Sequence, residues 1–441
     1  MARATTKKTA KKIEQNSAKK MRLKSAPQTS AISAAALPPP AWFASLRERL
    51  AAWYGEQARD LPWRGTRDPY AIWVSEIMLQ QTTVATVRPR FAAFLAGFPT
   101  IAALAAAKEE AVLRAWEGLG YYRRARQLHA AAQKIVADHG GKFPLEFEAI
   151  RALPGIGRYT AGAIASIAFD QRAPILEANT LRVWARLLAE PRPLTSAAPQ
   201  ERLWLAAEAI LPEHRATNDQ RVPLALPVSG KRGKKKASGS ESNDSISSST
   251  INQALMDLGS GVCLPRGPLC LLCPLNALCA ARKLGAPENF PAAAEKTNWT
   301  LRHEAAVLVR DKQRVLVVQY AEKQRWAGMW DLPRLTVSIG ETIPAPAQLD
   351  DEAFGVDLQL KFQALLGAKL NLGASQHRLK HGVTRYKITL DLFAAKFAKA
   401  AAKFPNLAPA LQAARWVTPT ELHDLPLSTT GRALVKKFCS S

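Results

Sequence analysis

Leu153-Pro154-Gly155-Ile156-Gly157-Arg158-Tyr159-Thr160 stands between two stretches of helical periodicity. Its glycines allow a tight turn with exposed backbone amides, and a helix is expected to resume over Tyr159 to Phe169. Free N–H groups at a helix start can hold a phosphate oxygen without reading bases, which makes Gly155 and Gly157 candidate contacts to a nucleic-acid backbone. A purely structural turn is the competing reading.

The composition around this turn favours the first reading. The chain carries 61 Lys and Arg against 36 Asp and Glu, a formal charge of +25, and clustered cations are rewarded by counterion release from a polyanion. Part of that charge is local: residues 1–24 hold nine Lys and Arg against one Glu, and Lys231 to Lys236 hold five more. Residues 1–40 have no apolar periodicity and end in Pro38-Pro39-Pro40, so a disordered basic arm is expected. From Trp42 to about Leu211 amphipathic helical patterns follow one another, with one stripe through Trp73, Ile77, Val84, Val87, Phe91 and Phe94. A low-complexity stretch over residues 217–250 reads as an insertion.

Beyond a linker near Pro287 to Thr297, alternation appears at Ala306, Leu308 and Arg310, then at Val315, Val317 and Gln319, around a turn at Asp311 to Arg314. It returns at Tyr386, Ile388, Leu390 and Leu392. The expected architecture is a mainly α region over 41–290 followed by an α+β domain over 299–441. No apolar run is long enough to cross a bilayer and no secretory signal is apparent, so the protein is expected in the cytosol or nucleoid, as a monomer.

Cys263, Cys270, Cys273 and Cys279 form a C-x6-C-x2-C-x5-C run within seventeen residues. Four thiolates this close suit a tetrahedral zinc or a [4Fe-4S] cluster, and spacing alone leaves the two even. Cys439 stands apart and reads as an ordinary thiol. Two acids carry candidate chemistry. Glu76 interrupts the apolar run Trp73-Val74-Ser75-Glu76-Ile77-Met78-Leu79, where burial would raise its pKa and leave it a proton to donate. Glu177, in Ile175-Leu176-Glu177-Ala178-Asn179-Thr180, stands where a helix begins, with Asn179 or Thr180 as its cap, and an anion is favoured there. Two carboxyls pushed apart in pKa are what cleavage of a glycosidic bond through a cationic sugar requires.

With these motifs together the chain resembles the MutY-type adenine DNA glycosylases, a branch of the helix-hairpin-helix superfamily that includes endonuclease III. The resemblance rests on Leu61-Pro62-Trp63-Arg64, Ser75 to Thr82, Gly118-Leu119-Gly120-Tyr121-Tyr122, the hairpin from Leu153, Asn252 to Gly259 and the four cysteines. It implies a helical glycosylase region with a [4Fe-4S] cluster on Cys263, Cys270, Cys273 and Cys279, and a Nudix-like C-terminal domain. It implies catalysis by Glu76, Tyr159, Glu177 and Asn179, with Glu76 protonating adenine N7. Arg64, Leu79, Gln80, Gln81, Thr82, Tyr122, Gly155, Gly157 and Thr384 are the implied DNA contacts, Gln80, Gln81 and Tyr122 wedging into the duplex.

Tyr159 occupies the place where the strand-cleaving branch has a lysine, and a phenol forms no Schiff base. The implied activity is removal of adenine opposite 8-oxoguanine or guanine in duplex DNA, without strand cleavage. Two departures are visible. The family's Asp-Gly-Asn is Glu177-Ala178-Asn179 here, and its Phe-Ser-His loop is Val383-Thr384-Arg385. A pyrimidine-lesion glycosylase of the endonuclease III branch and a non-catalytic iron-sulfur DNA-binding protein are the alternatives.

Overall fold

The computed structural model describes residues 36–194, 197–213, 246–292, 298–344, 351–398 and 404–439. Most of the expected basic arm, and positions 217–245 of the expected insertion, lie outside them. Ser248 to Thr250, assigned to that insertion from sequence, belong instead to a helix over Ser248–Gly261, whose N-cap Ser247 accepts from Thr250 N at 3.0 Å.

The helical region contains, in chain order, helices over Pro40–Gln57, Pro69–Leu79, Val84–Gly97, Ile101–Ala106, Glu109–Ala115, Arg123–His139, Phe147–Arg151, Arg158–Phe169, Ala178–Leu187, Ala197–Ala209 and Ser248–Gly261. Local chemistry sets several of the starts. Asp68 caps the Pro69–Leu79 helix by accepting from Tyr70 N and Ala71 N, with Pro69 in the first turn where its missing N–H costs nothing. Thr83 and Thr100 cap the next two in the same way. The stripe from Trp73 to Phe94 is therefore two helices rather than one. Gln81 takes a φ of 56° between them, and Thr83 starts the second.

The Arg158–Phe169 helix lies at the centre and is buried over Thr160–Ala168. Small side chains make this possible. A β-carbon on Gly162 would stand 2.3 Å from Pro174 O, and one on Gly259 would stand 2.9 Å from Asn179 Cβ. These two glycines let the central helix and the Ser248–Gly261 helix close around the segment Pro174 to Asn179. Asn252 ties the arrangement, its Nδ2 donating to Ser166 Oγ and to Ala173 O at 2.8 Å each.

The C-terminal domain is a seven-stranded mixed sheet built from β1 (Thr300–Asp311), β2 (Arg314–Tyr320), β3 (Trp330–Asp331), β4 (Arg334–Ile339), β5 (Leu370–Val383), β6 (Tyr386–Phe397) and β7 (Leu411–Val417). The order is β3-β2-β1-β6-β5, with β4 on β1 and β7 on β2, and β1 runs parallel to β6. The helix Glu352–Leu366 packs Leu358, Phe362 and Leu366 on one face, and Thr429–Phe438 packs Leu434 and Val435 on the other. Simple alternation understates this burial. In β6, Thr389, Asp391 and Phe393 are covered as fully as Ile388, Leu390 and Leu392.

The domain is joined to the helical region by specific bonds. Arg432 grips Glu117 through Nε–Oε1 at 2.6 Å and Nη2–Oε2 at 2.9 Å. Tyr122 OH donates to Leu427 O at 3.1 Å, and Trp330 Nε1 donates to Glu110 Oε1 at 2.8 Å.

Gly162→Ala should destabilise the protein by about 1 to 3 kcal/mol, because the added methyl meets a backbone carbonyl that cannot rotate away. A thermal melt equal to that of the parent would contradict this packing account.

Candidate active site

The helix Pro69–Leu79 is apolar nearly all round, so Glu76 is carried into the interior and is only 5% exposed. From the central helix Tyr159 OH donates to Glu76 Oε2 at 2.7 Å. Burial pushes the Glu76 carboxyl up, the Tyr159 hydrogen bond and the Arg64 charge pull it back down, and the charge of Glu177 adds to the rise. Tyr159 is held well above its usual value by burial and by the same glutamate, so it remains a hydroxyl donor.

Glu177 is itself the N-cap of the Ala178–Leu187 helix, which corrects the expectation that Asn179 or Thr180 fills that place. Its Oε1 accepts from Thr180 N at 3.0 Å and its Oε2 from Asn179 N at 2.8 Å, while Thr180 Oγ1 accepts from Glu177 N to complete a capping box. Asn179 Nδ2 also reaches Oε2, at 3.2 Å. The longer side chain thus curls back onto its own helix, with its charge at the positive end of the helix dipole. Arg182 continues the line, donating to Asn179 Oδ1 and to the carbonyls of Gly259 and Cys263.

Glu76, Tyr159, Glu177 and Asn179 line one open cleft of about 1210 Å³, together with Arg64, Leu79, Gln80, Gln81, Thr82, Tyr122 and Gly155. The four residues expected to do chemistry are thereby brought together. Among the expected DNA contacts the structure distinguishes free groups from committed ones. Gln81, with its left-handed backbone, is exposed on the rim. Gln80 Nε2 donates to Thr160 Oγ1 at 3.3 Å, and Leu79 packs partly into the core. Arg64 is spent within the protein, on Asp257 Oδ1 at 3.0 Å and Gln253 Oε1 at 2.7 Å. Gly155 and Gly157 are exposed, and the helix that starts after Gly157 has no side-chain cap.

Tyr122, expected to enter the duplex, is only 9% exposed and is held by Leu427 O. Tyr121 is the exposed ring, 46% exposed at φ 47° between Gly120 and Tyr122, with the Arg124 guanidinium 5.6 Å from its centre. Gly118 and Gly120, both at positive φ, shape the turn that carries it. Thr384 sits at the exposed tip of the β5–β6 hairpin at φ 52°, and it is His381, Gly382 and Val383 that reach the cleft. Arg325 and Trp326 join them there.

Arg124 is a further residue that sequence reasoning passed over. Its guanidinium is buried and donates to the carbonyls of Ile77, Met78, Gln80, Leu119 and Gly120 and to Thr82 Oγ1. Burial pushes it down to about 10.

The four cysteines fall in short turns after Gly261 and are all partly buried. Burial pushes the Cys273 thiol up to about 12, the backbone N–H of Leu275 opposes this, and Cys263, Cys279 and Cys270 add to the rise, so the four share one neighbourhood. Arg186 donates to Cys263 Sγ at 3.3 Å and to the carbonyls of Leu264 and Pro265. Among the described residues, no three His, Cys, Asp or Glu side chains are disposed to hold a metal ion. No described helix is long and apolar enough to cross a membrane.

Comparison with known proteins agrees with this geometry. Residues 74–206 match the HhH-GPD superfamily of base excision DNA repair proteins, and residues 305–437 match the NUDIX domain. The adenine DNA glycosylase of Mus musculus is 31% identical over 447 residues, covering 89% of this chain and 78% of that protein. The Homo sapiens enzyme of the same name is 30% identical over 449 residues, covering 89% and 74%. The Mycobacterium tuberculosis one is 38% identical over 241 residues, covering 54% and 68%. With a helix-hairpin-helix core that buries one acid, caps a helix with another and continues into a Nudix-like domain, the chain belongs to the adenine DNA glycosylases.

Proposed function

We propose that the cleft removes adenine from duplex DNA where it stands opposite 8-oxoguanine or guanine, and leaves the strand unbroken. The observation that carries this reading is the buried Glu76 carboxyl, bonded to Tyr159 and sharing its cleft with the helix-capping Glu177. Extrusion of the base from the stack is required before either acid can reach it. Gln81 and Tyr121, exposed on the rim, are placed to fill the gap that the base leaves.

Glu76 in its acid form gives its proton to adenine N7, and Tyr159 OH holds the oxygen that becomes anionic. The bond from C1′ to N9 breaks, its electron pair leaves with the base, and adenine departs neutral. Positive charge on the sugar is met by the Glu177 carboxylate, which Asn179 and two backbone amides hold in place. Water then adds to C1′, and its proton returns to Glu76. Tyr159 supplies no amine, so the sugar is released as an abasic site rather than held as a Schiff base.

The four cysteines, which are not disposed around a metal ion in this structure, would hold a [4Fe-4S] cluster, and their chemistry is what supports it. They are the only thiols in the helical region, they share one neighbourhood, and Arg186 brings an N–H and a positive charge to Cys263. The loop that would hold it is fixed to the Ala178–Leu187 helix, Arg182 donating to the Cys263 carbonyl. The presence of the cluster is checked by elemental analysis of the purified protein, which should contain iron and acid-labile sulfide in equal amounts. Zinc in their place would overturn the assignment.

A duplex with a single adenine opposite 8-oxoguanine should break only on alkaline treatment after incubation, and a duplex carrying an oxidised pyrimidine should not break at all. In that assay Glu76→Gln should lower single-turnover base release by about 10² to 10⁴ while binding persists, because affinity comes mainly from phosphates. Breakage without alkali, or unchanged release by the variant, would defeat the scheme.

The pH profile tests the Tyr159 contact. The reaction needs protonated Glu76, so the rate should fall as pH rises through the raised folded-state pKa. The Tyr159 hydrogen bond stabilises the carboxylate and lowers that pKa. Tyr159→Phe should therefore move the falling limb to higher pH. A limb that stays in place or moves down would show that the bond does not act on Glu76.

A further inference from the structure

The turn from Glu117 to Tyr122 is made of residues that do not hold one shape by themselves. Gly118 at φ 84° and Gly120 at φ 69° lack the side chains that restrict a backbone, and Tyr121 at φ 47° carries one where it is disfavoured. A backbone of this kind persists only where its surroundings over-determine it. The helical region supplies part of the hold. Arg90 Nε donates to Glu117 O at 2.9 Å, Trp116 Nε1 to Gly120 O at 3.2 Å, and Arg124 to the carbonyls of Leu119 and Gly120. The C-terminal domain supplies the rest, with one contact on each side of Tyr121. Leu427 O accepts from Tyr122 OH, and Arg432 takes both carboxylate oxygens of Glu117.

Arg432 is itself fixed within the C-terminal domain. Its guanidinium donates to Leu422 O at 2.8 Å, Leu425 O at 2.7 Å and His423 O at 3.3 Å, around the end of the short helix Pro419–Asp424. One planar group thus spans the seam with donors on both sides. Glu117, its side chain 16% exposed, is shared with Arg114 at 2.8 Å and passes the hold to the helix Glu109–Ala115 as well. We propose that Arg432, acting through Glu117, is a positioning residue for base extrusion. It fixes the turn so that the Tyr121 ring stands where it enters the duplex, and it gives the C-terminal domain a part in opening the stack. The inference rests on Tyr121 filling the gap left by an extruded base.

The test uses the full chain in a Glu76→Gln background, so that no base is released, and a duplex with 2-aminopurine in place of the target adenine opposite 8-oxoguanine. Stacking quenches the fluorescence of this base, and extrusion restores it. Arg432→Met should slow the rise by about tenfold, since misplacement by about 1 Å costs up to about 10²-fold. Duplex affinity, which comes mainly from phosphates, should change by less than about twofold. Glu117→Ala should give the same slowing from the other side of the seam, and the double variant should be no slower than either. In a Tyr121→Ala background Arg432→Met should add nothing. A parent rate in either single variant overturns the proposal. So does a slowing that adds to that of Tyr121→Ala, since Arg432 would then only support its own domain. If Tyr121→Ala extrudes at the parent rate, the wedge fails and the clamp with it. If Tyr121→Ala is slow and Arg432→Met is not, the clamp alone fails.

Discussion

One guanidinium holds the two walls of the cleft together. The last carbonyls of a helix have no partner within it, and those that end the helix bearing Glu76 point into the protein rather than into water. Arg124 supplies the missing donors to Ile77, Met78 and Gln80 on one side and to Leu119 and Gly120 on the other. Burying a cation is costly, as its depressed pKa shows, and the cost is offset by the six acceptors that the guanidinium meets. The result is that the turn through Gln81 and the turn through Tyr121 are two parts of one surface. Stacking of the same guanidinium on Trp116 and Tyr121 keeps the exposed ring in register with it.

Against that frame the two acids are given opposite surroundings. Glu76 is enclosed by an apolar helix and faces one neutral hydroxyl, which favours a carboxyl that still has its proton. Glu177 instead accepts from two backbone amides and an amide side chain at a helix start. Arg64, near enough to pull on Glu76, has its charge already engaged by Asp257 and so modulates the acid without neutralising it. The difference in surroundings between the two carboxyls comes from packing and capping.

The sequence discloses whatever is local. The glycine turn at Gly155 and an acid in an apolar helix can each be seen within a dozen residues, and both stand in the structure where their chemistry suggests. What escapes is whatever depends on a distant partner. Nothing near Tyr121 and Tyr122 says that Leu427, some three hundred residues away, will claim the second ring and leave the first exposed. Nothing near Arg64 or Arg124 shows that their charges are used internally, since a surface arginine reads the same. The Trp73 to Phe94 stripe is continuous in composition and discontinuous in space because Gln81 adopts a backbone that periodicity does not register. In β6 both faces are buried because helices cover the sheet on either side, which alternation cannot reveal.

The bonds from Tyr122 to Leu427 and from Glu117 to Arg432 bracket the turn that carries Tyr121. The seam between the two domains therefore runs beside the exposed tyrosine. Such a protein cannot evolve as a catalytic cassette with an interchangeable sensor attached. An exchange of the C-terminal domain between relatives would have to preserve a carbonyl at Leu427 and a guanidinium at Arg432, or else retune the helical half as well. The join that looks like a simple tether in sequence is fastened, in the structure, by bonds far from the linker itself.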